Sequence, residues 1–524
     1  GETVDVQGSF WMVHNVKEMI FFKQNSFLEG IYYPVGFDLG MNTGFAWMDT
    51  IPSLPLVIIM DTPGFYNFHV YTICVLSMFS LTWLFRFVGI PTFLCFALGI
   101  VAFFHTFTFY ELNSGRPTQI SWWPFCWTIA LAYKQQLKGF TTKDSMLLGL
   151  AYAFSCLTYW FSGAALGLTL LITGSLVLIQ QPQKWHSLKC ISISIMITLA
   201  ILLLVTHRIS IPILLGKGEA TYSQIADLPD AIWDLGFTKF PLQTLLVIDN
   251  YETFERMLEM SHYRIPLMVF AFICACLPFG WKYKTPWIFG LFFSLGYSVA
   301  SAIQVGSLQI PTGLAVLEYV FPPMIRCQFW YRMMVVGHLC ALMIISITIK
   351  SALQKFKEDK KQRGIVVLLG ILFLMISSIE LPLTSRTYVT NFKQHLQTAQ
   401  RIHQNPGAII EIPTNEVNES YVQQIFHQQP IFWGPGSDTV RPKEHISYQR
   451  QRNVISKINK MAYGQVKESI SKSELDQLYH DGFRWIVVNS TLIRTTKEHL
   501  SWNLQSETIV IPRDGIWLFE IQKP

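Results

Sequence analysis

The sequence predicts a multi-span α-helical membrane domain followed by a small extracytoplasmic α/β domain. The 524 residues are 51% hydrophobic and only 14% charged, whereas soluble domains carry about 25% charged residues. About ten apolar segments of membrane-spanning length lie between 64 and 380. The polar remainder, 381–524, contains short β-like runs separated by helical stretches, which is typical of a small α/β domain.

Each apolar segment is long enough to be a transmembrane helix. Lipid offers the backbone no hydrogen-bond partners, so a spanning segment must satisfy its own N–H and C=O groups as a helix of roughly 20 residues. The predicted spans are 64–87, 90–109, 119–136, 144–162, 165–183, 188–206, 264–280, 285–304, 329–350 and 364–380.

The loops between these spans alternate in character, which predicts an orientation. Short loops rich in lysine alternate with loops that carry acids, aromatic residues and isolated arginines, namely 1–62, 111–119, 207–263 and 305–328. Basic residues near span ends prefer the cytoplasmic side. We therefore expect an integral cytoplasmic-membrane protein with 1–62 and 381–524 outside. The basic loops carry Lys134, Lys138, Lys143, Lys184, Lys189, Lys282, Lys284 and the run 350–363.

The predicted organisation has three parts. Residues 1–62 form an outer loop with interfacial helices, 63–380 form the membrane domain with a large outer loop at 207–263, and 381–524 form the α/β domain. An external start favours a further span ahead of Gly1, with a processed signal sequence as the alternative. In the α/β domain we expect strands at 408–412, 484–488, 507–511 and 516–521, and helices near 386–404, 416–428 and 455–478.

The spacing of the cysteines and the absence of several catalytic motifs argue against some classes of function. All nine cysteines lie in or beside apolar spans, with no metal-binding spacing and no disulfide framework. The chain contains no P-loop, no zinc-protease motif and no serine-hydrolase elbow. The short inner loops leave no room for a nucleotide-binding domain, and we expect no nucleic-acid partner.

The first candidate acids stand at the start of the chain. Glu2 and Asp5 are three residues apart in a predicted outer loop, where a carboxylate can act as a general base or bind a divalent cation. The competing interpretation is a pair of solvated acids near a terminus.

A second candidate is the turn ELNSGRPTQ at 111–119. It places the polar groups of Glu111, Asn113, Arg116 and Gln119 at lipid depth, with His105 one to two helical turns earlier. Arginine presents a planar fork that suits phosphate. Alternatively, Arg116 extends to the membrane interface and His105 is a packing residue.

Arg326 and Arg332 form a third candidate beside an aromatic cluster at an outer span end. Arginines that face the bundle interior are functional candidates and can hold a lipid-linked phosphate. Interfacial anchoring is the alternative.

Taken in order, several segments resemble one enzyme family. GETVD at 1–5 is similar to an acidic motif after the first span, YYPVGFDL at 32–39 to a YYPxGxDL segment, and YN at 66–67 to a pair opening the next span. The region 104–119 resembles a segment of that family in which Gly-His stands at the place of Gly115 and Arg116 in this chain. The segments FPPMIRCQFWYR at 321–332, GAIIEIP at 407–413, HQQP at 427–430 and GFRWIVV at 482–488 also have counterparts. Together they resemble bacterial GT-C superfamily glycosyltransferases that use polyprenyl-phosphate-linked sugars.

This resemblance implies a function and roles for the residues. Asp5 or Glu2 would be the catalytic base, and a Mg²⁺ or Mn²⁺ ion, if one is used, would bind the same two acids. Arg116, Arg326 and Arg332 would bind the donor phosphate, while Glu111, Asn113, Gln119 and His105 would contact substrate. The partners would be membrane lipids, the lipid-linked sugar and other membrane proteins of the cell envelope. Glu2 in place of the expected Asp, and Arg116 in place of His, are departures from the family pattern.

Two other functions remain open from the sequence. The chain could be a non-catalytic GT-C-like subunit with a structural or assembly role in an envelope complex. A flippase for lipid-linked sugar would need charged residues along a path through the bundle, and the middles of the spans hold almost none apart from His338.

Overall fold

The fold is known from a computed structural model, and the structural statements below concern the residues that it describes. These are 4–19, 27–38, 48–56, 59–104, 106–113, 115–214, 239–241, 265–298, 302–305, 308–311, 334–359, 361–362, 364, 366–367, 370, 392–413, 418–434, 442–465, 469–490, 493–504, 508–511 and 516–524.

Eleven helices are described up to residue 355, and two short 3₁₀ helices, Ile51–Leu56 and Pro117–Ile120, connect some of them. The first of them, Val4–Glu18, lies in the predicted first outer loop, and the later ones lie mainly within the predicted spans. They are α1 Val4–Glu18, α2 Thr62–Val88, α3 Thr92–Phe103, α4 Thr106–Asn113, α5 Trp123–Lys138, α6 Thr142–Thr158, α7 Trp160–Gln180, α8 Lys184–Leu214, α9 Ile265–Cys276, α10 Trp281–Ser298 and α11 Met334–Lys355.

Among the described residues, four helical segments are long and apolar enough to cross a membrane. They are Gly64–Val88, Trp160–Gln180, Lys184–His207 and Met334–Lys355. The segment in α11 is 89% buried and is therefore central, whereas the segment in α8 is 11% buried and lies at the periphery. The prediction of a helical membrane protein is confirmed in this coarse form, and the count of ten spans stays a prediction.

Two predicted spans differ from the structure. The segment 90–109 is not one helix, because α3 ends at Phe103 and Phe104 adopts an extended conformation before α4 begins. The hydroxyl of Thr108 donates to the Phe103 carbonyl across this break. The last part of 285–304 is strand, since α10 ends at Ser298 and Ala302–Val305 pairs with Leu308–Pro311. Hydropathy continues through both breaks and so did not reveal them.

The lysine-rich helix ends lie together at one end of the bundle. The α5 side chain of Gln136 donates to the Tyr283 carbonyl at the start of α10 over 2.8 Å. Lys134 of α5 pairs with Asp144 of α6 at 2.6 Å. Lys350 of α11 packs near Gly89, which ends α2 with φ +108°. These contacts bring the lysine-rich loops to the same end of the bundle, as their alternation with the other loops predicts. The assignment of this end to the cytoplasm stays a prediction.

The C-terminal region contains a four-stranded sheet in the spatial order β6 (Ala408–Ile412), β7 (Phe483–Asn489), β9 (Ile516–Glu520) and β8 (Thr508–Ile511). Strands β6 and β7 are parallel, and β9 pairs antiparallel with β7 and β8. All four strands predicted here are confirmed, while the predicted helix at 455–478 is two helices. The strands are β1 Phe27–Leu28, β2 Phe37–Asp38, β3 Lys239–Pro241, β4 Ala302–Val305, β5 Leu308–Pro311, β6 Ala408–Ile412, β7 Phe483–Asn489, β8 Thr508–Ile511 and β9 Ile516–Glu520; the helices are α12 Phe392–Ile402, α13 Asn418–His427, α14 Lys443–Gln451, α15 Asn453–Ala462, α16 Lys472–His480 and α17 Lys497–Leu504.

Side chains alternate between the two faces of this sheet, as strand geometry requires. Ile410, Ile486 and Phe519 join the core that is covered by α15 and α16. The opposite face packs against residues of the predicted first outer loop. There the chain at 30–33 hydrogen-bonds to the backbone at 431–433, and Trp11 of α1 donates to the Gln424 side chain of α13 over 2.6 Å. The first loop and the C-terminal sheet therefore share one hydrophobic core.

Candidate functional site

The described residues include only part of the predicted site. Glu2, His105, Arg326 and Arg332 lie outside the described residues. Asp5 in α1 and Asn113 in α4 are described in their backbone only. Whether Asp5, Arg116 and Arg332 converge on one cavity stays a prediction. The side chains of Glu111, Arg116 and Gln119 are described.

The 111–119 segment is a tight turn at the end of α4. Gly115 has φ +72°, a backbone conformation that residues other than glycine rarely adopt. Its N–H donates to the Leu112 carbonyl at 3.0 Å, and the Arg116 N–H donates to the Glu111 carbonyl at 2.8 Å. The chain then enters the 3₁₀ helix Pro117–Ile120, where the Gln119 N–H donates to the Arg116 carbonyl at 3.1 Å. The turn is thus fixed by its own backbone.

Ser77 of α2 fixes the far end of this turn. Its hydroxyl donates to the Ile120 carbonyl and accepts from the Trp122 N–H, each over 2.9 Å. Ser77 is completely buried. A single hydroxyl therefore holds the Arg116 turn against the helix that also carries His69, two helical turns earlier.

Glu111 and Arg116 form a buried ion pair within the turn. The Glu111 side chain is completely buried and its Oε2 lies 3.5 Å from Nη1 of Arg116, whose side chain is 21% exposed. Burying a carboxylate is costly unless a cation compensates it. Arg116 therefore has a structural task, and the positive charge that it presents outside the turn is reduced by Glu111.

A buried polar cluster, absent from the sequence-based candidates, lies beside this turn. Nδ1 of His69 is 3.2 Å from the Ser53 hydroxyl, and Nε2 of His69 is 3.9 Å from Oδ2 of Asp49. The three residues are between 0% and 3% exposed. Ser53 lies in the 3₁₀ helix Ile51–Leu56, Asp49 in the preceding turn, and His69 in α2.

Two links join this cluster to the rest of the bundle. The Thr50 hydroxyl donates to Oδ1 of Asp49 over 3.4 Å, and the Thr118 side chain, in the Arg116 turn, lies close enough to the Asp49 carboxyl group to lower its pKa. The Met48 N–H donates to the Leu157 carbonyl at the end of α6 over 3.2 Å. The turn at Asp49 therefore lies where α2, α6 and the Arg116 turn meet, at the end of the bundle opposite to the lysines.

Burial raises the pKa of Asp49 to about 6, against an ordinary value of 3.8, although hydrogen bonds from Thr118 and Thr50 lower it in part. Within the described part of the chain, Oδ2 of Asp49 has no hydrogen-bond donor. A carboxyl group with a pKa near the working pH suits proton transfer. Asp49 is thus the acid in this region best placed to exchange a proton.

The combination of Ser53, His69 and Asp49 contains the residue types of a serine-hydrolase triad. A triad requires the carboxylate to hydrogen-bond the imidazole and so orient it. Here Asp49 and His69 are 3.9 Å apart, which is beyond hydrogen-bond range. The geometry therefore favours a carboxylate acting as acid or base over a serine nucleophile.

The sequence contained one sign of this cluster. His69 is an ionisable residue inside the predicted span 64–87, and such residues are functional candidates by default. Its partners Asp49 and Ser53 lie 20 and 16 positions earlier in a loop without a recognisable motif. Only the fold brings them together.

The described ranges contain no group of three or more His, Cys, Asp or Glu residues arranged to hold a metal ion. Because the side chains of Glu2 and Asp5 lie outside those ranges, a cation bound by them stays a prediction. Compared with protein-family models and with curated proteins, the chain matches none of them.

Proposed function

We propose that the chain is a membrane glycosyltransferase. It moves a sugar from a polyprenyl-phosphate-linked donor to a hydroxyl acceptor on the extracytoplasmic side, and Asp49 is the general base. The observation that supports this proposal best is the closeness of Thr118, in the turn that carries Arg116, to the carboxyl group of Asp49, in the predicted first outer loop. It brings a proton acceptor and a guanidinium to the same end of the bundle.

The proposed reaction is a displacement at the anomeric carbon. The acceptor hydroxyl gives its proton to Oδ2 of Asp49 as its oxygen bonds to the anomeric carbon. The bond between that carbon and the donor phosphate oxygen breaks, and its electron pair leaves with the phosphate. Arg116 offsets the charge that develops on the phosphate. Arg326 and Arg332 are proposed to contribute to the same phosphate site.

Access to Asp49 sets a condition on this mechanism. The Asp49 side chain, in the segment 48–56, is only 3% exposed. The proposal therefore includes a movement of this segment that admits the acceptor hydroxyl. Closure over the bound acceptor would then keep water from the reacting carbon.

The test is sugar transfer from a labelled polyprenyl-phosphate-linked donor by the purified protein in lipid bilayers. Asp49→Asn keeps the shape of the side chain and removes the base, so we expect transfer to fall by about 100-fold or more. Asp144→Asn is the matched control, because Asp144 is also a buried aspartate but pairs with Lys134 at the opposite end. Full activity of Asp49→Asn in correctly folded protein would exclude Asp49 as the base.

The same assay separates Asp49 from the acids predicted from the sequence. Asp5→Asn and Glu2→Gln are measured alongside it. If Asp5→Asn or Glu2→Gln abolishes transfer while Asp49→Asn does not, the base is at the start of the chain and the glycosyltransferase proposal remains with a different base.

One observation favours the second candidate, a non-catalytic GT-C-like subunit. Asp49, His69 and Ser53 are all almost completely buried, as expected for a cluster that only stabilises the fold. That function predicts no sugar transfer by the unmodified protein, and an Asp49→Asn variant altered only in stability or in the proteins that copurify with it.

A further inference from the structure

A cavity of about 630 Å³ lies between α7 and α8, away from the Asp49 cluster. Its floor is formed by α5, α6 and α10, with Gln136, Tyr152 and Trp287 among the lining residues. Leu171 and Leu199 form part of its rim and are 58% and 60% exposed. The cavity is therefore a groove that opens toward the surroundings of the bundle.

The groove exists because α7 and α8 both pack closely on α6. At Gly149 of α6, an added Cβ would lie 2.5 Å from the Ser194 carbonyl oxygen of α8. At Gly163 of α7, it would lie 2.7 Å from Cα of Cys156 in α6. Glycines hold both helices against α6, and the groove remains between them.

The polar groups in the groove are already satisfied by the protein. The Ser194 hydroxyl donates to the Ser145 carbonyl at 2.7 Å, and the Thr198 hydroxyl donates to the Gly149 carbonyl at 2.9 Å. The Tyr152 hydroxyl donates to the Gly163 carbonyl at 3.1 Å. With these groups engaged, the groove presents an almost entirely apolar surface, which suits a hydrocarbon chain and not a polar ligand.

A lysine stands at one end of the groove on the same helix face as its lining. Leu188, Ile191 and Ile195 of α8 line the groove, and Lys184 precedes Leu188 by one helical turn on that face. Lys184 is exposed, and Trp185 beside it is 84% exposed. The nearby acid Asp144 is neutralised by Lys134. The end of the groove is therefore basic.

We propose that this groove binds one acyl chain of an anionic phospholipid, whose headgroup phosphate pairs with Lys184. From Leu188 to Leu202 the groove follows α8 for ~21 Å at 1.5 Å per residue, about two thirds of a ~30 Å hydrocarbon core. That length suits a chain that enters at the lysine-rich surface and passes the midplane. The proposed donor phosphate site lies at the opposite end of the bundle, so this lipid is distinct from the glycosyl donor.

Gly174 of α7 provides a direct test. It lines the groove, and no atom lies within 4 Å of a Cβ added there, so Gly174→Leu begins in open space and extends a larger side chain into the groove. Gly296→Leu is the matched control, because Gly296 is exposed on α10, has equally open surroundings and is not a lining residue. Ser175→Phe at the exposed edge fills the same space if Gly174→Leu does not fold.

The readouts are native mass spectrometry of copurified phospholipid and thermal unfolding in detergent with added phosphatidylglycerol or phosphatidylcholine. We expect the unmodified protein to retain phosphatidylglycerol and to be stabilised more by it. Gly174→Leu or Ser175→Phe should lose most of this effect, and Gly296→Leu should keep it. Lys184→Gln should remove the preference for the anionic lipid, whereas Lys282→Gln, an exposed lysine of α10 at the same end, should not.

Two results would overturn the proposal. Equal retention of phosphatidylglycerol by the groove-filled variants and by Gly296→Leu would show that only annular lipid is bound. Equal stabilisation of the unmodified protein by both lipids would exclude the headgroup pairing with Lys184. Neither result depends on sugar transfer, so the proposed function is tested separately.

Discussion

Asp49 and His69 face each other with Oδ2 and Nε2 3.9 Å apart, and both side chains are almost completely buried. This pair joins a residue of the loop before α2 to a residue of α2 itself. Because the two groups are near but not hydrogen-bonded, a proton on either changes the electrostatic energy of the other.

The first prediction concerns the effect of Asp49 on stability. Burial raises its pKa to about 6, so the folded state binds the proton more tightly than the unfolded state does. The resulting stabilisation is complete below pH ~4 and is lost as the pH rises through about 6. The loss amounts to about 3 kcal/mol. Urea or thermal unfolding between pH 4 and 8 measures it.

Asp49→Asn should remove this pH dependence while leaving the protein folded, because the amide stays neutral throughout. Sugar transfer by the unmodified protein should show the opposite slope, rising as Asp49 ionises near pH 6. A stability curve that is the same in the variant and the unmodified protein would contradict the assignment.

The second prediction concerns Glu111 and Arg116. Arg116→Gln leaves the completely buried Glu111 carboxylate without its guanidinium, and we expect a loss of about 3 kcal/mol. The double variant with Glu111→Gln should be less destabilised than Arg116→Gln alone, because no buried charge then remains. Thermal unfolding of both single variants and the double variant completes the cycle. Additive effects would show that the two residues are not coupled.

The third prediction concerns Lys284. Its ammonium group is buried and donates to the carbonyls of Cys274, at 2.6 Å, and Leu277 at the end of α9. Lys284→Met should cost about 2–3 kcal/mol through the lost charged hydrogen bonds. Lys282→Met, two residues earlier and exposed, should stay within about 0.5 kcal/mol of the unmodified protein. Equal effects in thermal unfolding would show that Lys284 does not stabilise the end of α9.

The fourth prediction concerns Asp481 in the C-terminal region. Burial alone would raise its pKa, but hydrogen bonds from Arg452, Tyr448 and Gln477 lower the pKa of Asp481 below its ordinary value. Nε of Arg452 and the Tyr448 hydroxyl each lie 2.6 Å from Oδ2. The stabilisation from these hydrogen bonds is present when the pH is above the ordinary pKa of an aspartate. It is lost as the pH falls through the lowered pKa of Asp481.

Asp481→Asn should therefore lower the free energy of unfolding at pH 7 by about 1–3 kcal/mol. The difference between the variant and the unmodified protein should become smaller as the pH falls. The matched control is Asp476→Asn in α16, because among the described residues the Asp476 side chain forms no ion pair or hydrogen bond. A constant difference between Asp481→Asn and the unmodified protein from pH 7 to pH 3 would be the contrary result.

The sequence predicted the elements better than their contacts. Strand Ala408–Ile412 was predicted to the residue, because a β-branched run between turn residues is a strong local signal. The break after Phe103 was not predicted, because aromatic residues continue beyond it at Phe104, Phe107 and Phe109. Lys282 and Lys284 were indistinguishable as loop lysines, yet the first is exposed and the second is buried.

The candidate site shows the same division. Arg116 and Glu111 stood out as polar residues in a turn between apolar segments. Their pairing follows from the left-handed backbone at Gly115, which returns the chain onto Glu111. Asp49 gave no signal, because its significance depends on burial against α2 and on Thr118. Such long-range burial is a property of the packed bundle and not of local sequence.

The shared core between the first loop and the C-terminal sheet has a consequence for biosynthesis. Tyr33 donates its hydroxyl hydrogen to the Asp481 carbonyl over 2.9 Å, across 448 positions of sequence. Residues 27–38 therefore cannot reach their final packing until the chain has been synthesised past Asp481. Contacts of such sequence separation form late and slowly, so the nascent protein must keep this early segment unassembled while the bundle inserts. Truncation near the C-terminus would accordingly leave a membrane-inserted chain whose first loop is a target for proteolysis.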